Sequence, residues 1–358
     1  MKPLCIGDLT VDIPVVQGGM GVGVSLASLA GAVAAQGGLG VISTAQIGYN
    51  LPDFSANPMA ANLRAIREQV KSAREKAHGG AIGVNIMVAT RNYKDYVLEA
   101  VKAGVDIIIS GAGLPTALPE YVKGSKTKIA PIVSSEKAAK LICRMWDKRH
   151  HCTPDMIVIE GPLAGGHLGF SKDQLVPFVE NSVDKISDMM HHYDEEIKKI
   201  IQVCREYGEK YSKHIPVVIA GGIDGRKEAD HCFALGAEGI QVATPFVATE
   251  ECDAHRNFKE AYVRAEKEDI VILNSPVGMP ARGIKNKFLQ NVAAGIKGEI
   301  RCRQCLEHCD PLKIPYCITD ALIRAVQGDV ENGLVFCGAN VDKIKRISTV
   351  RDVIEKYI

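Results

Sequence analysis

With 358 residues, 46% hydrophobic and 24% charged, and a formal net charge of +1 at pH 7, the chain has the composition of a folded globular protein with ample material for a large core. This excludes a disordered, collagenous or strongly basic chain, and the absence of any block of five or more basic residues leaves no electrostatic footprint for nucleic acid. The start, Met1 to Asp8, lacks an apolar leader, and no window of about 18 residues is apolar without glycine or polar breaks, so a cytoplasmic protein without membrane contact is expected.

In chain order, short β-branched runs fall at 14–17, 39–44, 81–87, 105–110, 129–135, 156–160, 216–220 and 239–244. They are continuous apolar runs rather than alternating ones, the pattern of parallel strands buried on both faces. Helical patterns at 26–35, 60–77, 93–103, 136–146 and 226–235 lie between them. Strand and helix alternating over eight strands predict an α/β fold, a (β/α)8 TIM barrel. The segment 171–214 is too long for one loop and carries helical charge patterning, so a helical insertion is expected after strand six, over the barrel mouth or on its flank. Residues 1–290 are read as the barrel and 291–358 as a cysteine-rich C-terminal extension packed on it. A doubly wound dinucleotide fold is the rival, but no G-x-G-x-x-G turn follows the first strand and no G-x-x-x-x-G-K-[ST] loop occurs.

The glycine-rich and polar turns gather after the strands: Gln17 to Gly21, Asn85, Gly111 to Gly113, Ser134-Ser135, Gly165-Gly166-His167 and Gly221-Gly222. Barrel enzymes keep their sites on that face. Glycine lets backbone approach a ligand closely, and an imidazole titrating near neutral pH can exchange a proton there, which makes His167 the candidate catalytic residue. The turns after strands seven and eight, with Gly221, Gly222, Ala243 and Thr244, set successive backbone amides beside helix starts and are read as a phosphate site.

The runs Pro14 to Gly21, Ala30 to Ile42, Gly83-Val84-Asn85, Ala164 to Gly169 and Val218 to Gly225 together resemble the nitronate monooxygenase (2-nitropropane dioxygenase) family, which includes the flavin-dependent enoyl-ACP reductases of type II. The likeness runs from about residue 12 to about residue 290 in the family's order. It implies an FMN across the barrel mouth, with Gly18, Gly19 and Met20 behind the ring system and Asn85 hydrogen-bonded to it. It further implies that Gly165 and Gly166 line the cofactor, that Gly221, Gly222, Ala243 and Thr244 hold its phosphate, and that His167 faces the reacting edge. Pro245 stands where family members more usually have arginine after the phosphate turn, which removes a fixed donor for an anion.

Three activities follow from the resemblance. The first is an FMN-dependent monooxygenase that oxidises alkyl nitronates with dioxygen. The second is an NAD(P)H-dependent flavin reductase acting on an enoyl thioester or a quinone; the third is a barrel that binds FMN or a sugar phosphate without redox chemistry. Each takes a small-molecule substrate, and assembly as a homo-oligomer is left open.

Eleven cysteines, an odd count without a leader, argue for reduced thiols, and Cys143, Cys204 and Cys232 sit in apolar helical patterns as core filler. Cys302, Cys305, Cys309 and Cys317, spaced C-x2-C-x3-C-x7-C, read instead as an iron–sulfur or zinc site, against the alternative of thiols packing the tail; Cys337 is a spare ligand or core. His150-His151-Cys152 and His191-His192 lie in polar stretches and read as solvated surface.

Overall fold

The computed structural model describes residues 1–178, 191–296 and 300–358. It opens with a small hairpin, β1 (Leu4–Ile6) and β2 (Leu9–Val11), turned at Gly7 with φ of 65°. The barrel strands follow: β3 (Val15–Gln17), β4 (Gly40–Ser43), β5 (Ile82–Met87), β6 (Ile107–Gly111), β7 (Lys128–Val133) and β8 (Ile157–Glu160). A two-residue strand, β9 (Gly166–His167), belongs to another sheet, and β10 (Val217–Ala220) and β11 (Gly239–Val242) complete the barrel. The eight strands are parallel in the order β3-β11-β10-β8-β7-β6-β5-β4. Gln17 N donates to Leu39 O at 3.0 Å and Leu39 N to Val15 O at 2.9 Å, which joins the two edges into a (β/α)8 barrel.

The strands read as apolar runs because both faces are covered. Val16, Leu39, Ile107, Ile109, Val158 and Val218 fill the interior, and Leu4, Ile6 and Val11 of the hairpin join the same cluster. The hairpin therefore stoppers the barrel at the end away from the strand C-termini. Short strands gave it no periodic signal in the sequence. The outer faces of the strands pack against helices Ala27–Ala35, Pro58–Lys76, Tyr93–Lys102, Glu136–His150, Asp194–Tyr211 and Arg226–Leu235. Two of these start on local caps, Asn57 accepting from Ala60 N and Ser135 from Ala138 N. Ala27–Ala35 has no cap of its own; Asp253, brought from far along the chain, accepts from Leu26 N, Ser28 N and Leu29 N at 2.8, 3.1 and 3.1 Å.

The described parts of the segment 171–214 are largely helical, as expected. Asp194–Tyr211 buries Ile197, Ile200, Ile201, Val203 and Cys204 in the main core and is the ordinary barrel helix after β8. Only Lys172–Leu175 and the 3-10 turn Val176–Phe178 precede it among the described residues, since 179–190 lie outside them. Cys143, Cys204 and Cys232 are buried, as expected of core filler.

After β11 and the short helix Thr244–Val247 the chain makes an excursion. It contains helix Arg256–Arg264, β12 (Ile270–Asn274), β13 (Pro280–Ile284), and helices Lys287–Ala293 and Ile318–Val326. β12, β13 and β9 form an antiparallel sheet in which Ala281 faces His167 and Arg282 faces Gly166. The excursion returns to its starting point, where Ser348 N donates to Ala248 O and Glu250 N to Ser348 O, both at 2.9 Å. The last helix, Val350–Glu355, then packs Val350, Val353 and Ile354 into the main core beside helix Ala27–Ala35. Among the described residues no helix is long and apolar enough to cross a membrane.

Candidate active site

The C-terminal ends of the barrel strands open into a cavity of about 420 Å³. Gly18, Gly19, Met20, Asn85, Gly165, Gly166, His167, Gly221, Gly222, Ala243 and Thr244 all line it. On one wall a Cβ on Gly19 would lie 2.3 Å from that of Asn85, and one on Gly165 would lie 2.6 Å from the Cys337 carbonyl carbon, so neither position has room for a side chain. Asn85 Nδ2 donates to Ile109 O at 3.3 Å, which ties it to the neighbouring strand.

At another wall Gly221 and Gly222 take φ values of +99° and +82°, the left-handed region open to glycine. A Cβ on Gly222 would meet Leu163 Cδ1 at 2.7 Å. Asn340 Nδ2 donates to Gly222 O at 2.9 Å, and Thr244 Oγ1 accepts from Gly338 N at 3.0 Å, so the excursion holds both turns in place. Asn340 Oδ1 is buried without a protein partner.

His167 stands on β9, its Nε2 2.7 Å from Ser275 Oγ and its ring edge-on to Phe336 with centroids 5.1 Å apart. Burial lowers its pKa to about 4, because a charged imidazolium has little water there, so the ring is neutral at working pH. Glu160, the last residue of β8, also lines the cavity, and burial raises its carboxyl to about 8. Both side chains are half-buried: each faces the cavity and has protein on its other sides. Two titratable groups with pKa values driven apart from their usual ranges, in one cavity, are a recurrent mark of a catalytic site.

Arg282 of β13 is buried, with its Nη2 donating to Pro162 O at 3.0 Å and its Nη1 to Ala164 O. Burial lowers its pKa to about 10, which still leaves the guanidinium charged. It holds the two carbonyls that lead into Gly165, Gly166 and His167.

Cys302, Cys305, Cys309 and Cys317 border a second, smaller cavity beside the first. Cys337 is buried and lines the large cavity, not the small one. His191 and His192 are exposed as expected, yet the fold sets His191 Nδ1 3.1 Å and His231 Nε2 2.9 Å from the Asp194 carboxylate, a grouping that sequence spacing hides.

The nitronate monooxygenase family model matches residues 2–358. The chain belongs to the nitronate monooxygenase family. It is 26% identical over 318 residues to a Staphylococcus saprophyticus protein named "Probable nitronate monooxygenase", with 80% of this chain and 79% of the relative covered. The solved structure of FabK from Thermotoga maritima superposes with a TM-score of 0.70 at 28% identity, covering 97% of this chain and 91% of that one. A nitroalkane oxidase from Streptomyces ansochromogenes shares the fold, with a TM-score of 0.69 at 18% identity over 96% and 94% of the two chains. Membership of the nitronate monooxygenase family makes the chain an oxidoreductase.

The sequence reading missed Glu160, Ser275, Arg282 and Phe336. Glu160 had a signal, an acid closing an apolar strand at the face where the site sits. The other three lie more than about a hundred residues from His167 and carry no local pattern.

Proposed function

We propose that the protein is an FMN-dependent oxidoreductase that oxidises alkyl nitronates with dioxygen. The observation that carries this reading is that His167 and Glu160 face one cavity with Gly19, Asn85, Gly221 and Gly222, where burial shifts both side chains toward their neutral forms. An anionic nitronate then meets no opposing carboxylate at Glu160, and it has already lost the proton that a base of pKa about 4 would remove poorly from a neutral nitroalkane. The bond to Ser275 couples the His167 tautomer to the hydroxyl: with Nε2–H donating to Ser275 Oγ, Nδ1 is the accepting atom, and with the hydroxyl donating, Nδ1–H is a donor for a nitronate oxygen.

The residues present fit FMN. Gly19, packed on Asn85, and Gly165, packed on Cys337, bring bare backbone to the cavity, which a ring system can approach closely. The left-handed turn at Gly221 and Gly222, with Ala243 and Thr244 beside it, suits a phosphate, and the orphaned Asn340 Oδ1 can accept from a ribityl hydroxyl. When bound, FMN supplies the two-electron chemistry, and the protein supplies orientation and proton control.

A second reading, an NAD(P)H-dependent reductase of an enoyl thioester or quinone, is supported by the likeness to FabK over nearly the whole chain. In it a water held at His167 delivers a proton to the reduced product. The test is an absorbance spectrum of protein purified without oxygen, followed by titration with a nitronate, NADH and NADPH. Bleaching of flavin bands by nitronate alone is expected. Bleaching by a pyridine nucleotide would replace the first reading with the second, and no flavin bands after reconstitution would remove both. His167→Ala should keep the flavin and lose turnover by about 10²-fold, the size of a removed hydrogen-bonding group aimed at the reacting atoms.

A further inference from the structure

We propose that Cys302, Cys305, Cys309 and Cys317 form a binding site for a polynuclear iron–sulfur cluster of the four-cysteine kind. Their spacing alone leaves zinc, a cluster and free thiols open. The fold narrows the choice. All four residues border one cavity of about 60 Å³ in a loop of the excursion. The loop is pinned to the barrel where Arg91 N donates to Cys305 O and Glu307 N to Ala89 O, each at 3.0 Å.

Zinc in a four-thiolate site needs sulfurs about 3.8 Å apart, from Zn–S bonds near 2.3 Å in a tetrahedron. Among the described residues no three of these sulfurs lie within 4.8 Å of one another. The cavity all four border, about 60 Å³, is roughly four times what one water molecule needs. Thiols ringing a gap of that size suit a cluster that carries its own sulfides, not a single ion.

The surroundings also suit such a guest. Gln304 N donates to the Cys302 sulfur at 3.4 Å, and Cys317 stands at the start of helix Ile318–Val326. Hydrogen bonds of this kind stabilise ligated thiolates and set a cluster's potential. Arg91 and Arg303 border the cavity and offset negative charge. Cys305, Leu306 and Ile318 line both this cavity and the large one, so the two sites share a wall.

The test uses the full-length protein purified without oxygen, then reconstituted with ferrous iron and sulfide. Iron, acid-labile sulfide, zinc and flavin are measured on the same samples, with an electron paramagnetic resonance spectrum after reduction. About four iron and four sulfide per chain are expected, with a signal from the reduced cluster. Cys302→Ala, at an exposed position, and Cys309→Ala should each lose most of the iron, while Cys5→Ala, exposed on the distant hairpin, keeps it. Flavin retained in the two variants would show that they are folded. Zinc without sulfide, no iron after reconstitution, or iron unchanged in both variants would overturn the proposal. The site does not depend on the nitronate reading, and the metal and flavin assays separate the two.

Discussion

Glu160 and His167 sit across one cavity with opposite consequences for pH. Glu160 has a folded pKa of about 8, above the ordinary carboxyl value, so its protonated form favours the folded state. That contribution is fully present below an unfolded pKa near 4.3 and is lost as pH rises through about 8. His167 has a folded pKa of about 4, below the usual 6.5, so stability falls as acid protonates the unfolded chain first, between about 6.5 and 4. Glu160→Gln should therefore remove the loss of thermal stability that Glu160 imposes between about pH 4.3 and 8, and uncover the opposing rise from His167 between about 4 and 6.5. Melting curves of both proteins across that range check it; parallel curves would mean that Glu160 is ionised in the folded protein. The glycines of the site were legible in sequence because only backbone without Cβ fits at Gly19, Gly165 and Gly222. The partners of His167 were not, since a hydrogen bond to Ser275 follows from the fold and not from spacing.

The barrel strands were readable as elements because burial on both faces leaves an unbroken apolar run. Asp194–Tyr211 falls in the segment read as an insertion: its charged outer face is visible in sequence, while the meaning of its buried Ile197, Ile200 and Ile201 emerges only once β8 and β10 are paired beside each other. β9, β12 and β13 escaped because a two-residue strand has no period, and its hydrogen bonds come from more than about a hundred residues away. Within that sheet Arg282 does what a hydrophobic residue could not, since it satisfies the carbonyls of Pro162 and Ala164. Arg282→Ala strands both buried acceptors and should destabilise the protein by about 3 kcal/mol, with loss of flavin retention. Arg282→Lys should recover little, because a single ammonium does not reproduce the planar fork. Chemical denaturation with a flavin assay measures both, and full recovery by lysine would show that charge alone matters there.

The whole molecule divides into a wall and a roof. Hairpin, strands and helices, including the last one, make the wall, and residues 250–348 supply Ser275, Arg282, Phe336, Asn340 and the four clustered cysteines. Residue 290, where sequence reading put a boundary, lies within helix Lys287–Ala293 of that roof. Joining Thr249 to Thr349 through a short glycine linker should leave a chain that unfolds cooperatively with barrel-like circular dichroism but does not retain flavin. A product without cooperative unfolding would mean that wall and roof fold as one unit. Two backbone hydrogen bonds at Ala248, Glu250 and Ser348 make the doorway through which the roof leaves and re-enters. Such a doorway confines the roof to two chain crossings, so the residues that close the cavity from above can be replaced together while every barrel strand keeps its neighbours.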